Sequence, residues 1–526
     1  MATEQQPIRR HRRIRPWLTA LLVGIAVVSV LLIALLSIIP FRSETAREKL
    51  IELLASRLDS EVQLDSLSLR VLPRLRAEGA GLTIRHKGRH DVPPLISVRS
   101  FSVEGGLVNL YRKRMSTVTL EGLQIQIPPR DRDTADDHAA AGNDAPLKLK
   151  AGLVIDNLLT KDAQLIIIPR KANKQPKVWA IHNLHMRSVS FDRTMPFEAT
   201  LTNGVPPGEI TTKGTFGPWH SGEPGDTPLD GAFTFDHADL GVFDGISGIL
   251  SAQGTFGGKL ERIEVHGDTT TPDFTLTDVG HAIPLRAKYD AIVDGTNGDT
   301  FLERIDGSWR NTALVAKGSV ADTPGISGRQ VELDVTMDKA RIEDVLWLAV
   351  KTPTPPMTGA LTLKTHMVIP PGKVDVVKKL MLDGNFTLGM ARFTNLDVQN
   401  KIEGLSQRSR GQVSPEKTEH VTSDFAGSFK LGNGVLTIPT VAFGVPGSLV
   451  RLSGTYGLVS EAINFKGTLF MDAKISETVG GFKGKLLKVV DPLFRGENGG
   501  SAIPIQISGN RNNPTFGLDK GRIFKR

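Results

Sequence analysis

Apolar and polar residues alternate with a period of two along much of this chain. The alternation is plain at 66–71, 331–338, 361–369, 463–475 and 503–507. A period of two puts the apolar side chains of a strand on one face of a sheet and the polar side chains on the other. Sheets with one wet face are typically antiparallel. The pattern therefore predicts a mainly β fold built around a long antiparallel sheet.

A recurring motif of glycine, threonine and an aromatic residue punctuates the predicted strands. It occurs at 214–216, 254–256 and 454–456, and looser copies lie at 307–309 and 427–429. Glycine is common at turns and bulges, so we interpret the motif as the mark of an irregular meander of hairpins. The copies are unevenly spaced, which argues against a strict solenoid repeat.

Helical patterns are few. Residues 44–58 form the clearest one, because Thr45 and Glu48 have the spacing of a capping box and leucines recur on one side. Further patterns lie at 340–351, 396–405 and 476–490. We therefore expect a few short helices beside the sheet.

A long apolar segment follows the N-terminus. Residues 17–40 contain no charged side chain, and about 20 residues suffice to span a bilayer as a helix. Five arginines lie within 1–16, so the positive-inside rule places the N-terminus in the cytoplasm. A cleaved signal peptide is the alternative, but its apolar core is usually shorter, roughly 7–15 residues. We predict an uncleaved transmembrane helix with anchor positions Trp17, Leu22, Ile25, Leu32 and Leu36.

The apolar faces of so many strands need a cover. About 25 strands at roughly 4.8 Å spacing would give a sheet on the order of 100 Å wide, which a few short helices are too small to shield. The sheet then packs on a second sheet, closes into barrels, or forms a groove filled by lipid chains, and a self-packed sandwich is the commonest of these in general. The candidate groove residues are Val331, Leu333, Val335, Leu361, Leu363, Ile463, Phe465, Leu469, Met471, Ile503, Ile505 and Ile507.

These patterns divide the chain into consecutive regions. They are a basic tail at 1–16, a transmembrane helix at 17–40, an N-terminal helix with a β segment at 41–130, a flexible linker at 131–146, a middle β-groove region at 147–340 and a C-terminal β region at 341–526. The linker is rich in Asp, Ala and His, a composition typical of a solvated loop.

The net charge of +8 could indicate a nucleic-acid partner, but its distribution argues against one. Half of the excess comes from the arginines in 1–16, and part of the rest from the basic tail at 520–526. No basic helix or aromatic-interleaved basic stripe stands out, so we expect no nucleic-acid partner. The chain has no cysteine, which excludes disulfides, thiolate catalysis and cysteine-ligated metals.

Candidate catalytic and metal-binding groups are sparse in the sequence. His182 and His185 lie three apart in a predicted strand, on opposite faces, which disfavours a shared metal. The acidic residues within 131–137 are typical of a solvated loop. No dinucleotide fingerprint follows the glycines at 79–81, and no nucleophile elbow is present. We therefore expect no enzyme activity, no cofactor and no metal.

Several loose motifs occur in a definite order. After the apolar anchor and the helix at 44–58 comes Glu-Val-Gln-Leu-Asp-Ser-Leu-Ser-Leu at 61–69, then the strands at 94–100 and 119–125, and near the end Ile-Pro-Ile-Gln-Ile-Ser-Gly at 503–509 with Asn-Pro-Thr-Phe at 513–516. In this order the motifs resemble the AsmA-like family, envelope proteins of diderm bacteria. The resemblance covers 17–526, although Asn510 stands where a threonine is common and the middle, about 150–340, is divergent.

The resemblance implies a long bent antiparallel sheet that forms an apolar groove, because the family is similar in architecture to bridge-like lipid-transfer proteins. It implies an inner-membrane anchor, a periplasmic body and membrane phospholipids as partners, moved passively between the two membranes or used in outer-membrane assembly. Outer-membrane or other envelope proteins are candidate further partners. Two alternatives stay open: a structural or assembly factor that carries no lipid, and an anchored periplasmic enzyme.

Overall fold

The structure is a computed structural model that describes residues 41–42, 44–58, 60–70, 75–86, 93–106, 114–127, 154–167, 177–190, 192–220, 224–277, 280–323, 328–410, 421–478, 494, 500–511 and 513–523. Three predicted features lie outside these residues: the basic tail at 1–16, the membrane anchor with Trp17, Leu22, Ile25, Leu32 and Leu36, and the linker at 131–146. No helix among the described residues is both long enough and apolar enough to cross a bilayer.

The described chain is mainly β, as the alternation predicted. Its first strands are β1 (Phe41–Arg42), β2 (Ser60–Gln63), β3 (Ser66–Arg70), β4 (Leu75–His86), β5 (Ile96–Gly105), β6 (Arg114–Glu121), β7 (Gln124–Ile127), β8 (Val154–Ile167), β9 (Lys177–Val189) and β10 (Met195–Gly204). They continue as β11 (Pro207–Phe216), β12 (Pro228–Asp239), β13 (Ile246–Ser247), β14 (Ile249–Lys259), β15 (Arg262–Leu276), β16 (Ile283–Val293), β17 (Thr300–Trp309) and β18 (Thr312–Asp322). The last are β19 (Arg329–Arg341), β20 (Met357–Ile369), β21 (Met381–Phe393), β22 (Ser423–Gly432), β23 (Val435–Val445), β24 (Ser448–Gly457), β25 (Ala462–Met471), β26 (Ser501–Asn510) and β27 (Asn513–Leu518).

Helices are few and short in the described residues. They are α1 (Glu44–Leu58), α2 (Ile342–Ala349), α3 (Val376–Lys379), α4 (Leu396–Ser409) and α5 (Lys520–Ile523), with 3-10 turns at Pro224–Asp226, Leu240–Val242 and Ile475–Glu477. The prediction for α1 is confirmed at both ends. The predicted helix at 340–351 is two residues shorter at each end, and the one at 396–405 is four residues longer. Most of the pattern predicted at 476–490 lies outside the described residues.

The described residues fall into two compact units. The first comprises those within Met1–Ile166, Ile181–Glu198 and Gly217–Ser221. There β3, β2 and β5 pair antiparallel with β4, and β6 and β7 pair antiparallel with β5. β6 then pairs parallel with β8. The expectation of a long antiparallel sheet is therefore confirmed only in part, because β6 and β8 run in the same direction.

The second unit comprises the described residues within Ile167–Ala180, Ala199–Phe216 and Gly222–Arg526. Its strands from β11 to β27 pair antiparallel in chain order, apart from the two-residue strand β13, which pairs with the end of β15. This unit is therefore one long meander, as the pattern of hairpins predicted.

The sheet of the second unit curls around its apolar face between β15 and β20. Helix α2 lies on that face and contacts β19 and β20 as well as β15. β15 and β20 are five strands apart along the ladder, about 24 Å in a flat sheet, whereas an eight-residue helix is about 12 Å long. The sheet must therefore bend towards α2 for both strands to reach it.

The first glycine of each Gly-Thr-aromatic motif lies inside a strand, so the interpretation of the motif as a mark of turns and bulges is wrong for that position. Gly254 is in the middle of β14, opposite Gly267, and Gly454 is in the middle of β24, opposite Phe465. Each faces the apolar side of the sheet, where a ring from a neighbouring strand lies over it. A Cβ on Gly254 would be 3.0 Å from Cε1 of Phe233, and one on Gly454 would be 2.7 Å from Cδ1 of Phe465.

Candidate functional site

The apolar side of the second unit's sheet is the candidate site, and we call it the groove face. Residues directly opposite in antiparallel strands share a face. The register places Val331, Leu333 and Val335 opposite Ile369, Met367 and Thr365, and it continues the same face through every strand to β27. The predicted groove residues therefore all lie on this one face: Val331, Leu333, Val335, Leu361, Leu363, Ile463, Phe465, Leu469, Met471, Ile503, Ile505 and Ile507.

At paired positions from β11 to β27 of the described residues, the groove face carries one charged pair, Asp322 opposite Arg329, at the turn-end limit of β18 and β19. The outer face is rich in charged and polar side chains. There Lys430 forms an ion pair with Asp383, and the imidazoles of His266 and His366 lie 2.7 Å and 2.9 Å from Oδ1 of Asp290 and Asp334. The sheet thus separates an almost uncharged surface from a strongly charged one.

Burial on the groove face changes from one end of the strands to the other. We call the end where β19 stops and β20 starts the helix end, and the opposite end, with the β24–β25 and β26–β27 turns, the turn end. Along β19, Ala340 at the helix end is 1 % exposed and Val335 is 9 % exposed, whereas Leu333 and Val331 towards the turn end are only half-buried. Along β19 the face is therefore packed at the helix end and half-buried towards the turn end, whereas Phe429 and Leu431 on β22 stay buried near the turn end.

The predicted groove residues fall into two groups by exposure. Val335, Leu361 and Met471 are buried. The others are half-buried: Val331, Leu333, Leu363, Ile463, Phe465, Leu469, Ile503, Ile505 and Ile507. A face covered by a packed second layer would bury such residues almost completely.

Helix α2 covers the helix end between β15 and β20. Its Ile342, Val345 and Leu348 pack against a buried cluster that includes Ile283 and Leu361. Its buried carboxylate, Asp344, accepts hydrogen bonds from Nε of Arg310 at 3.0 Å, from the backbone N–H of Asn311 at 3.0 Å and from the hydroxyl of Thr312 at 3.0 Å. These bonds fix the helix to the turn between β17 and β18.

Aromatic contacts hold the same helix from two further directions. The ring of Trp347 stacks on His281 with centroids 4.1 Å apart, and the guanidinium of Arg310 lies 5.3 Å from its centre. The indole N–H of Trp309 donates to the carbonyl of Asp344 at 3.3 Å. The sequence pattern located the helix, but none of these partners could be identified from it.

Helix α4 covers the helix end further along the sheet. Ile402 and Leu405 pack against a buried cluster of Val421, Phe443, Val445 and Val450. The helix begins at an Asn395 cap, and Gln399 donates to the carbonyl of Val421 at 2.9 Å. The expectation that helices are too few to cover the face is thus wrong for the helix end, because both helices lie there.

Two tyrosine side chains are partly buried on the groove face. Tyr289 on β16 and Tyr456 on β24 both point to this face. Burial raises the pKa of Tyr289, with a smaller contribution from the charge of Asp268. Burial also raises the pKa of Tyr456, although the positive charge of Arg511 opposes this.

The histidines and carboxylates form no metal-binding group of three or more within the described part of the chain. Nε2 of His185 lies 3.0 Å from Oδ1 of Asn157, and the side chain of His182 is exposed. Among the described residues, the charged side chains of the outer face pair with one another across the strands and do not converge on one cleft.

Comparison of the chain with known protein families, with curated proteins and with solved structures finds no match.

Proposed function

We propose that this protein shields the acyl chains of phospholipids on its groove face and conducts them across a bacterial envelope. The observation that carries the proposal is a groove face that continues from β11 to β27, has Asp322 and Arg329 as its one charged pair at paired positions of the described strands, and keeps many apolar side chains half-buried. Each methylene group kept from water contributes about 0.8 kcal/mol. Because the face is similar from strand to strand, a chain can slide along it without meeting a deep trap.

The resemblance to the AsmA-like family supports the location in this proposal. The apolar segment at 17–40 would anchor the chain in the inner membrane, with the N-terminus in the cytoplasm and the body in the periplasm. Phospholipids and the inner membrane are then its partners, and the lipid would serve transport between membranes or outer-membrane assembly. The role is non-enzymatic and needs no cofactor, so direction must come from another source.

A second candidate is a structural or assembly factor that carries no lipid. The buried clusters under α2 and α4 favour it, because part of the groove face is packed by the protein itself. Outer-membrane or envelope proteins would then be the partners.

Lipid co-purification separates the two candidates. The full chain is extracted in a mild detergent and its bound lipids are identified by mass spectrometry. We expect phospholipid with the natural chain, and at least a tenfold loss with Phe465→Asp combined with Leu469→Asp, because a buried carboxylate on the groove face repels an acyl chain.

The matched control is Asn464→Asp combined with Thr468→Asp, which adds the same two charges on the outer face of the same strand. It should bind as much lipid as the natural chain. Absence of phospholipid from the natural chain, or equal loading of both charged variants, would favour the assembly factor.

A further inference from the structure

Residues 370–380, between β20 and β21, fold into a small ordered unit at the turn end. Asp375 caps helix α3, since its Oδ1 accepts the backbone N–H of Val377 at 2.8 Å. Lys379 donates from Nζ to the carbonyl of Gly372 at 2.6 Å, which ties the two stems of the connection together. We call residues 370–380 the flap.

The flap contacts a distant part of the same sheet. The backbone N–H of Val376 donates to the carbonyl of Asp244 at 2.9 Å. Asp244 and Gly245 belong to the connection between β12 and β14, which we call the seat (residues 240–247). Gly245 has φ of 93° and lies close to the flap, since a Cβ added to Gly245 would be 2.9 Å from the backbone nitrogen of Val376.

The contact joins opposite ends of the strands. The seat precedes β14 at the helix end, whereas the flap follows β20 at the turn end, six strands further along the ladder. Six strands span about 29 Å in a flat sheet. The sheet bends towards its groove face here, because α2 on that face touches both β15 and β20. Flap and seat therefore meet across the groove face.

The side chains of the flap fit a removable cover. Val377 is 4 % exposed, whereas Val374 is 58 % exposed and Lys373 and Lys378 are also exposed. One buried side chain and one backbone hydrogen bond to the seat are a weak attachment, of about 1 kcal/mol for the hydrogen bond. Such a contact can open without unfolding the sheet.

We propose that the flap closes the groove face between β15 and β20 and must part from the seat before a lipid can enter there. This inference rests on the proposed function and adds an entry point and a gate to it. The section from β21 to β27 lies beyond the flap, so lipid reaches it whether the flap is open or closed.

A reversible lock tests the gate. The chain has no cysteine, so Asp244→Cys with Val376→Cys gives one defined pair, and the backbone hydrogen bond keeps their Cα atoms within about 6 Å, in the range for a disulfide. A photoreactive benzophenone amino acid replaces Met367, on the groove face of β20 three residues before the flap, or Ile505 on β26, beyond it. The full chain is mixed with vesicles of phosphatidylethanolamine and phosphatidylglycerol, illuminated, and examined for attached lipid.

Oxidation of the cysteine pair should lower lipid attachment at position 367 at least tenfold and leave attachment at position 505 unchanged. Addition of a reductant should restore attachment at position 367. The single variants Asp244→Cys and Val376→Cys should not respond to the oxidant. Asp375→Ala removes the cap of α3, so it should speed attachment at 367 several-fold.

The possible failures are distinct. Equal attachment at 367 in the oxidised and reduced protein overturns the gate and leaves the proposed function standing. Lack of attachment at both positions in the reduced protein overturns the proposed function itself.

Discussion

At the scale of single residues, the groove face depends on glycines paired with rings across strands. Phe256 lies over Gly231 and Phe233 lies over Gly254, so β12 and β14 exchange one ring each. A ring that lies flat over a glycine covers its backbone and stays close to the sheet. At Gly254 and Gly454 the Gly-Thr-aromatic motif therefore makes room for a ring on the groove face, whereas the atoms nearest Gly214 are backbone atoms of β12.

Gly454→Ala should destabilise the second unit, because the new Cβ would lie 2.2 Å from the carbonyl oxygen of Asn464 and 2.7 Å from Cδ1 of Phe465. Overpacking of this kind costs about 1–3 kcal/mol. Gly432→Ala is the matched control, since nothing lies within 4 Å of its Cβ position. The measurement is the urea midpoint of each variant. Equal midpoints would contradict the packing role.

Much of the strand content could be predicted at this scale, whereas the glycine pairs could not. Alternation is local, so the strands at 331–338 and 503–507 were readable from the sequence alone. Which ring covers which glycine depends on register, and register depends on strands far apart in sequence. The motif signalled that glycine and aromatic residues belong together, but their cross-strand pairing appears only in the structure.

At the scale of elements, bulges explain where the strand pattern gives way to helix. Lys339 and Met390 have positive φ, and each precedes an alanine that is almost fully buried, Ala340 at 1 % and Ala391 at 0 %. An extra residue at a bulge shifts the alternation by one. The predicted helix therefore begins at 340, two residues before α2, because a count of apolar positions does not detect the bulge.

The position of the two helices could not be predicted either. Amphipathic spacing located α2 and α4 along the chain, but their cover over the helix end comes from contacts with strands before and after them. The sealed end and the accessible end therefore emerge only when helices and sheet are assembled.

Asp344→Ala should loosen α2, because it leaves Arg310, the N–H of Asn311 and the hydroxyl of Thr312 without their acceptor. Loss of one partner in a buried ion pair costs about 3–5 kcal/mol, and the half-exposed Arg310 puts the expected value at the lower limit. Hydrogen exchange should speed up in 342–349 while 448–471 stays protected. Asp338→Ala, on the exposed outer face, is the control and should change hydrogen exchange in neither region. If exchange in 342–349 stays slow in Asp344→Ala, the carboxylate does not hold the helix.

At the scale of the whole molecule, the division of charge is the property that links fold to function. The chain carries 64 basic and 56 acidic residues, yet at paired positions of the described strands the groove face carries only one charged pair, Asp322 opposite Arg329. A packed core needs apolar residues only where it is packed, whereas this face is almost free of charge at its half-buried positions as well. Phe516 and Leu518 on β27 extend it to the last strand, where they are 58 % and 51 % exposed.

If that face carries acyl chains, lipid contact should follow the alternation of the strands across the whole second unit. A phospholipid with a photoreactive diazirine in its acyl chain should label the natural chain at groove-face residues, with Leu333, Leu363 and Ile505 as the diagnostic positions. Their outer-face neighbours Asp334, Lys364 and Gln506 should remain at least tenfold less labelled, because only the groove face is almost free of charge. Labelled sites are read by mass spectrometry of peptides. Labelling that ignores the alternation would mean that the lipid binds the surface at random, and the nearly charge-free face would then need a different explanation, such as a partner protein bound along it.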